Sequence, residues 1–130
     1  MIIEFGSKGE VEALLRASVT FKFQGSEESD IFAGSPIHSK ALQSLLASLV
    51  EAEGPAAGLV WKDTYRLSGH AERWNFVAKY AARHPRWNSL SDHERVTWIE
   101  TVAAPYEVTE ADAAELQEKI TEIHCSGNFP

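Results

Sequence analysis

Cysteine is almost missing from this chain. Cys125 stands alone, so no internal disulfide can form, and the small secreted scaffolds that depend on such bridges are excluded. Long apolar runs are missing too: no stretch approaches the roughly 18 uninterrupted apolar residues that a membrane span requires. The opening Met1-Ile2-Ile3-Glu4-Phe5 lacks the basic start and long apolar centre of a secretion signal. Bases are outnumbered, 12 against 19 acids, and the formal net charge of −7 repels nucleic acid and anionic membranes. These absences lead to the expectation of a cytoplasmic protein that binds neither nucleic acid nor membrane.

What is present suffices for a core. Of the 130 residues, 44% are hydrophobic, including four Trp, six Phe and three Tyr, too much apolar material for a disordered chain. The length suits one globular domain over residues 1–130, and no linker or internal repeat divides it.

The first half reads as mixed. Met1 to Phe5 suggests a short strand closed by Gly6-Ser7, and Val11, Leu14 and Leu15 suggest a short amphipathic helix. Ser18 to Gln24 alternates, with Val19, Phe21 and Phe23 against Thr20, Lys22 and Gln24, which predicts a half-buried strand. Gly25 to Gly34 is polar and reads as a loop. Ser35-Pro36 opens a helix with a capping hydroxyl and proline at the first position. Leu42, Leu45, Leu46, Leu49 and Val50 form its apolar stripe, and Gly54-Pro55 ends it. Leu59, Trp61, Tyr65 and Leu67 then share the face of a further strand, interrupted by Asp63.

The second half reads as helical. Ala71 to about Arg83 carries Trp74, Val77 and Ala81 on one stripe, and His84-Pro85 stops it. Ser91-Asp92-His93-Glu94 is a capping box that opens a helix with Val96, Ile99 and Val102 inward. Thr109 caps a last helix with Ala113, Leu116, Ile120 and Ile123 inward, stopped by Ser126-Gly127. The expected fold is therefore α+β: a small N-terminal sheet of two or three strands covered by four to five helices.

Catalytic chemistry finds no motif. Gly6-Ser7-Lys8-Gly9 lacks the spacing of a phosphate loop. His38, His70, His84, His93 and His124 never share a helical face at i, i+3 or i, i+4, and His93-Glu94 lacks the second histidine of a zinc helix. Cys125 lies near a helix C-terminus, where the dipole disfavours a thiolate. No catalytic residue, metal or cofactor is expected.

The charge is uneven. Residues 106–130 hold six acids and one base, Lys119. Glu115, Glu118 and Glu122 line one strip of the last helix, and Glu27, Glu28 and Asp30 form a second acidic group. The expectation is a binding domain of the immunity or antitoxin kind, whose acidic surface occludes a basic toxin or effector, with Phe32 or Trp98 as an aromatic anchor. Two alternatives stand beside it. One is a small-molecule-binding or catalytic domain with a pocket formed by Trp61, Asp63 and Tyr65. The other is an adaptor or regulatory domain of a larger assembly.

Overall fold

The computed structural model describes residues 1–127, and it is helical throughout. Six helices follow in order: α1 (Lys8–Lys22), α2 (Glu27–Ala33), α3 (Pro36–Thr64), α4 (Ala71–Ala81), α5 (Asp92–Ala103) and α6 (Glu110–Ser126). Among the described residues there is no sheet. One isolated parallel bridge, Arg66 with Glu107, is all the strand pairing they show. The α+β expectation is thereby overturned, and each of its three strands has a specific replacement.

Met1 to Phe5 forms neither strand nor helix, and Ile2 and Ile3 stand in solvent. Ser18 to Gln24 is mostly the second half of α1. Val11, Leu15, Val19 and Phe23 recur at i, i+4 and form one buried stripe, while Phe21 lies at the surface. The alternation of Val19, Phe21 and Phe23 is real, but helical spacing places two of them inward and burial decides the outcome. Leu59 to Leu67 is the end of α3 followed by a short 3-10 turn, with Leu59 exposed and Tyr65 and Leu67 buried.

The polar segment after Gly25 is also a helix. Ser26 caps α2 by accepting from the Ser29 amide, and the Ser29 hydroxyl accepts from the Ser26 amide in return. Serine in place of Glu or Gln at the third position hides this capping box from a motif search.

The start of α3 at Ser35-Pro36 is as the sequence implies, with the Ser35 hydroxyl accepting from the His38 amide. Gly54 breaks the helix, at φ 85° and ψ 179°, a backbone region open essentially to glycine alone. Pro55 then starts a second helical limb at once, because a first-turn proline loses no hydrogen bond there. The stop was legible; the immediate restart was not.

In the second half the capping boxes at Ser91/Glu94 and Thr109/Asp112 set the helix starts, and Gly127 closes α6 in the left-handed conformation at φ 66°. The core joins α1, α3, α4, α5 and α6 through Leu15, Leu42, Val77, Ile99, Leu116 and Ile120, around a wholly buried Trp87. Trp87 Nε1 donates to Thr121 Oγ1 at 3.0 Å, which pins α6 onto the turn before α5. Helix α6 packs on α4 and α5, whereas α2 packs on α1 and α3. No helix among the described residues is long and apolar enough to cross a membrane.

Candidate functional site

The C-terminal acids meet a neighbour that the sequence did not pair them with. On α6 the residues Ala114, Gln117, Glu118, Thr121 and Glu122 recur at i, i+3, i+4, i+7 and i+8, one face beside the buried stripe of Ala113, Leu116 and Ile120. That face and α5 enclose a groove of two adjoining depressions of roughly 780 and 360 Å3, which share Asp92, Ala114 and Gln117. Small residues on α6 make the trough, and Val96, Val108 and Ala113 supply apolar lining at one end.

Five carboxylates border this groove: Asp92 and Glu100 from α5, and Glu110, Glu118 and Glu122 from α6. All five are exposed, and none has an ion-pair partner among the described residues. The cation within the groove, Arg95, is turned to the core: its Nε donates to the Trp87 carbonyl at 3.2 Å and its guanidinium lies 4.7 Å from the Trp87 ring centre. The trough is therefore bordered by five carboxylates that no ion pair among the described residues engages, against the single arginine Arg95. Glu115 is exposed but does not line it.

The remaining acidic candidates lie apart. Glu27 and Glu28 are exposed in the first turn of α2, where negative charge favours the helix start. Asp30 is engaged by Arg83 through two contacts, of 2.6 and 3.2 Å, and that guanidinium holds its carboxyl below the usual carboxylate range. The backbone carbonyl of Asp30 accepts from the Tyr80 hydroxyl at 2.8 Å.

Neither aromatic anchor stands free. Trp98 is half-buried, and its Nε1 donates to the Ala81 carbonyl at 3.1 Å. Phe32 packs edge-on against Phe21 at 5.6 Å and lies 5.2 Å from the His38 ring, at the border of a shallow hollow of about 270 Å3.

Trp61, Asp63 and Tyr65 do not converge. Trp61 and Tyr65, four residues apart on the last turns of α3, stack at 6.4 Å, and Tyr65 is buried against Tyr106. Asp63 points the other way, exposed, and pairs with Arg66 at 3.5 Å. On a strand the three would share a face; on a helix the middle one cannot.

Sequence reasoning found Glu118 and Glu122 but missed Asp92, Glu100 and Glu110. A signal existed within α5: Asp92, Val96 and Glu100 recur every four residues. The pairing of that face with α6 is tertiary and had no local mark. Among the described residues no group of three or more His, Cys, Asp or Glu is placed to hold a metal ion. Comparison of the chain with protein families, with curated proteins and with solved structures finds no match.

Proposed function

We propose that this chain is a protein-binding domain that receives a basic segment of a partner protein in the groove between α5 and α6. Its concrete form is an immunity or antitoxin protein acting in the cytosol, where it occludes a basic toxin or effector. The observation that carries this reading is the set of five exposed carboxylates around one trough, none of them with an ion-pair partner among the described residues.

Carboxylates so placed act at two ranges. At a distance, their summed field on a chain of net charge −7 speeds the approach of a positive partner. At contact, Glu118 and Glu122, one turn apart, suit Lys or Arg side chains that follow a helix or an extended segment along α6. The apolar stems of those side chains can lie on Val96, Val108 and Ala113. Long-range attraction fades in salt, since the screening length falls to ~8 Å at physiological ionic strength.

The test is affinity capture from the source cytosol, at low and high salt, with two baits: the native chain and a variant carrying Glu110→Lys, Glu118→Lys and Glu122→Lys. The expected result is one basic protein retained in equimolar amount by the native bait, released by salt, and lost from the variant. The same proteins retained by both baits would remove the groove from consideration.

A further inference from the structure

The contacts beneath α2 include a polar atom that nothing satisfies. His38 Nδ1 is buried and has no hydrogen-bond partner among the described residues. The His38 ring lies 5.2 Å from that of Phe32, the one aromatic side chain of α2, and Phe32 packs edge-on against Phe21 of α1. These three rings, with Ala17 and Ser18, line the hollow of about 270 Å3. His38 is thus a support on which the Phe32 end of α2 rests.

That support suits a neutral ring only. A neutral imidazole can leave one nitrogen bare, whereas an imidazolium carries N–H on both and needs an acceptor for each. The seat supplies none at Nδ1, and a charged donor buried without a partner costs more than a bare lone pair.

The charge facing the seat has the wrong sign as well. It is Lys22 of α1, wholly buried, and it repels a proton on His38. Its ammonium is held by the Thr101 and Ala104 carbonyls of α5 and reaches the hydroxyl of Ser39, the residue after His38, so it has no room to swing aside. The acids of α2 offer little relief: Asp30 is taken by Arg83 of α4, and Glu27 and Glu28 are exposed in the first turn. Lys40, two residues along α3, is exposed and also positive. Burial first and the Lys22 charge second hold the His38 ring below the ordinary histidine range.

Outside the seat the ring meets water and returns to its ordinary 6.5. Release is therefore linked to proton uptake. As pH falls below 6.5 the released form gains, by at most about tenfold per unit. The Asp30–Arg83 contact outlasts that window, because its guanidinium holds the Asp30 carboxyl below the usual carboxylate range.

We propose that His38 is an acid-operated latch: on protonation its ring leaves the seat beside Lys22, the Phe32 end of α2 lifts about the Asp30–Arg83 contact, and the hollow between Phe21 and Phe32 opens. None of these residues borders the acidic groove, so the latch stands or falls apart from the partner reading.

Nuclear magnetic resonance of the full chain between pH 7.5 and 5.5 tests the latch. The His38 ring protons should titrate with a midpoint below 6.5. Ring-to-ring contacts of Phe32 with Phe21 and His38 should weaken several-fold with the same midpoint, while the resonances of α6 stay in place. In His38→Gln the Phe32–Phe21 contact should no longer respond to pH. In Lys22→Met the His38 midpoint should rise toward 6.5. A native chain in which His38 titrates and the Phe32 contacts do not change overturns the proposal, whether or not either variant folds. So does an acid response that His38→Gln shares, or one that spreads through all six helices at once.

Discussion

The ammonium of Lys22 lies 2.9 Å from the carbonyl oxygen of Thr101, inside the protein and with no ion-pair partner among the described residues. It also donates to the Ala104 carbonyl at 2.8 Å and reaches the Ser39 hydroxyl at 3.4 Å. One side chain of α1 thus ties α3 to the last turn of α5, where carbonyls lack helical partners and the dipole is negative. Burial nevertheless draws its pKa down to about 7 from the usual 10.5. The facing titratable group, His38 of α3, is also pulled down, by burial first and by the Lys22 charge second.

A pH dependence follows from that lysine. Between about 7 and 10.5 the unfolded chain binds the Lys22 proton more fully than the folded one, so stability rises with pH across that window. Below about 7 both states carry the proton and this group adds no slope. The slope is at most one proton, ~1.4 kcal/mol per pH unit. Urea unfolding of the native chain and of Lys22→Met at several pH values above 7 should show the native curve gaining on the variant by roughly that amount per unit. Parallel curves would mean that Lys22 keeps an ordinary pKa inside the fold.

Gly54 carries a conformation that other residues avoid. Its φ of 85° and ψ of 179° break α3, and no atom lies within 4 Å of where a Cβ would sit. The cost of Gly54→Ala is therefore backbone strain alone, about 1–3 kcal/mol, set against ~0.4–1 kcal/mol gained from a stiffer unfolded chain. A lower urea midpoint with an unchanged m-value is the expected reading. An unchanged midpoint would indicate that α3 can run straight through the break.

How far the sequence could be read depended on the range of each signal. Ser35-Pro36, Ser91 with Glu94, Thr109 and Gly127 act within four residues, and the helix ends they imply are present. The strands failed where one set of residues satisfied two periods. Val19, Phe21 and Phe23 alternate, yet Val19 and Phe23 also extend the i, i+4 series from Val11, and the surrounding helices reward the longer stripe. Leu59 and Trp61 met the same ambiguity on a limb that begins only because Pro55 can open a helix. The acidic groove lay further out of reach. Glu118 and Glu122 announced one wall, but the wall holding Asp92 and Glu100 exists only once α5 lies against α6. Lys22 looked like the polar face of a strand, and nothing local marked it as the buried tie of three helices.

Trp98 is half-buried against Gly34, which shows how tightly the indole is held. A Cβ on Gly34 would lie 2.8 Å from the Trp98 ring and 3.2 Å from the Tyr80 hydroxyl. Gly34→Ala should then displace the indole that donates to Ala81, at a cost of about 1–3 kcal/mol for an overfilled contact. The expected outcome is lower thermal stability with a changed tryptophan emission, and undiminished capture of the basic partner under conditions where the variant is folded. Selective loss of capture without loss of stability would return Trp98 to the role of an anchor.

Asp30 and Arg83 separate structural acids from those of the groove. Their two-point contact joins α2 to the end of α4, yet both side chains remain more than a third exposed, so solvent screens the pair. A double-mutant cycle with Asp30→Asn and Arg83→Gln should give a coupling of roughly 0.5–1 kcal/mol, shrinking as salt is added. Glu118→Gln should behave in the opposite sense, because Glu118 has no ion-pair partner among the described residues: stability unchanged, partner association slowed and less salt-sensitive. Stopped-flow association of the captured partner with Asp30→Asn and with Glu118→Gln distinguishes the two roles. Equal slowing by both would mean that the binding surface reaches α2. Slowing by Glu118→Gln alone would confine it to the groove between α5 and α6.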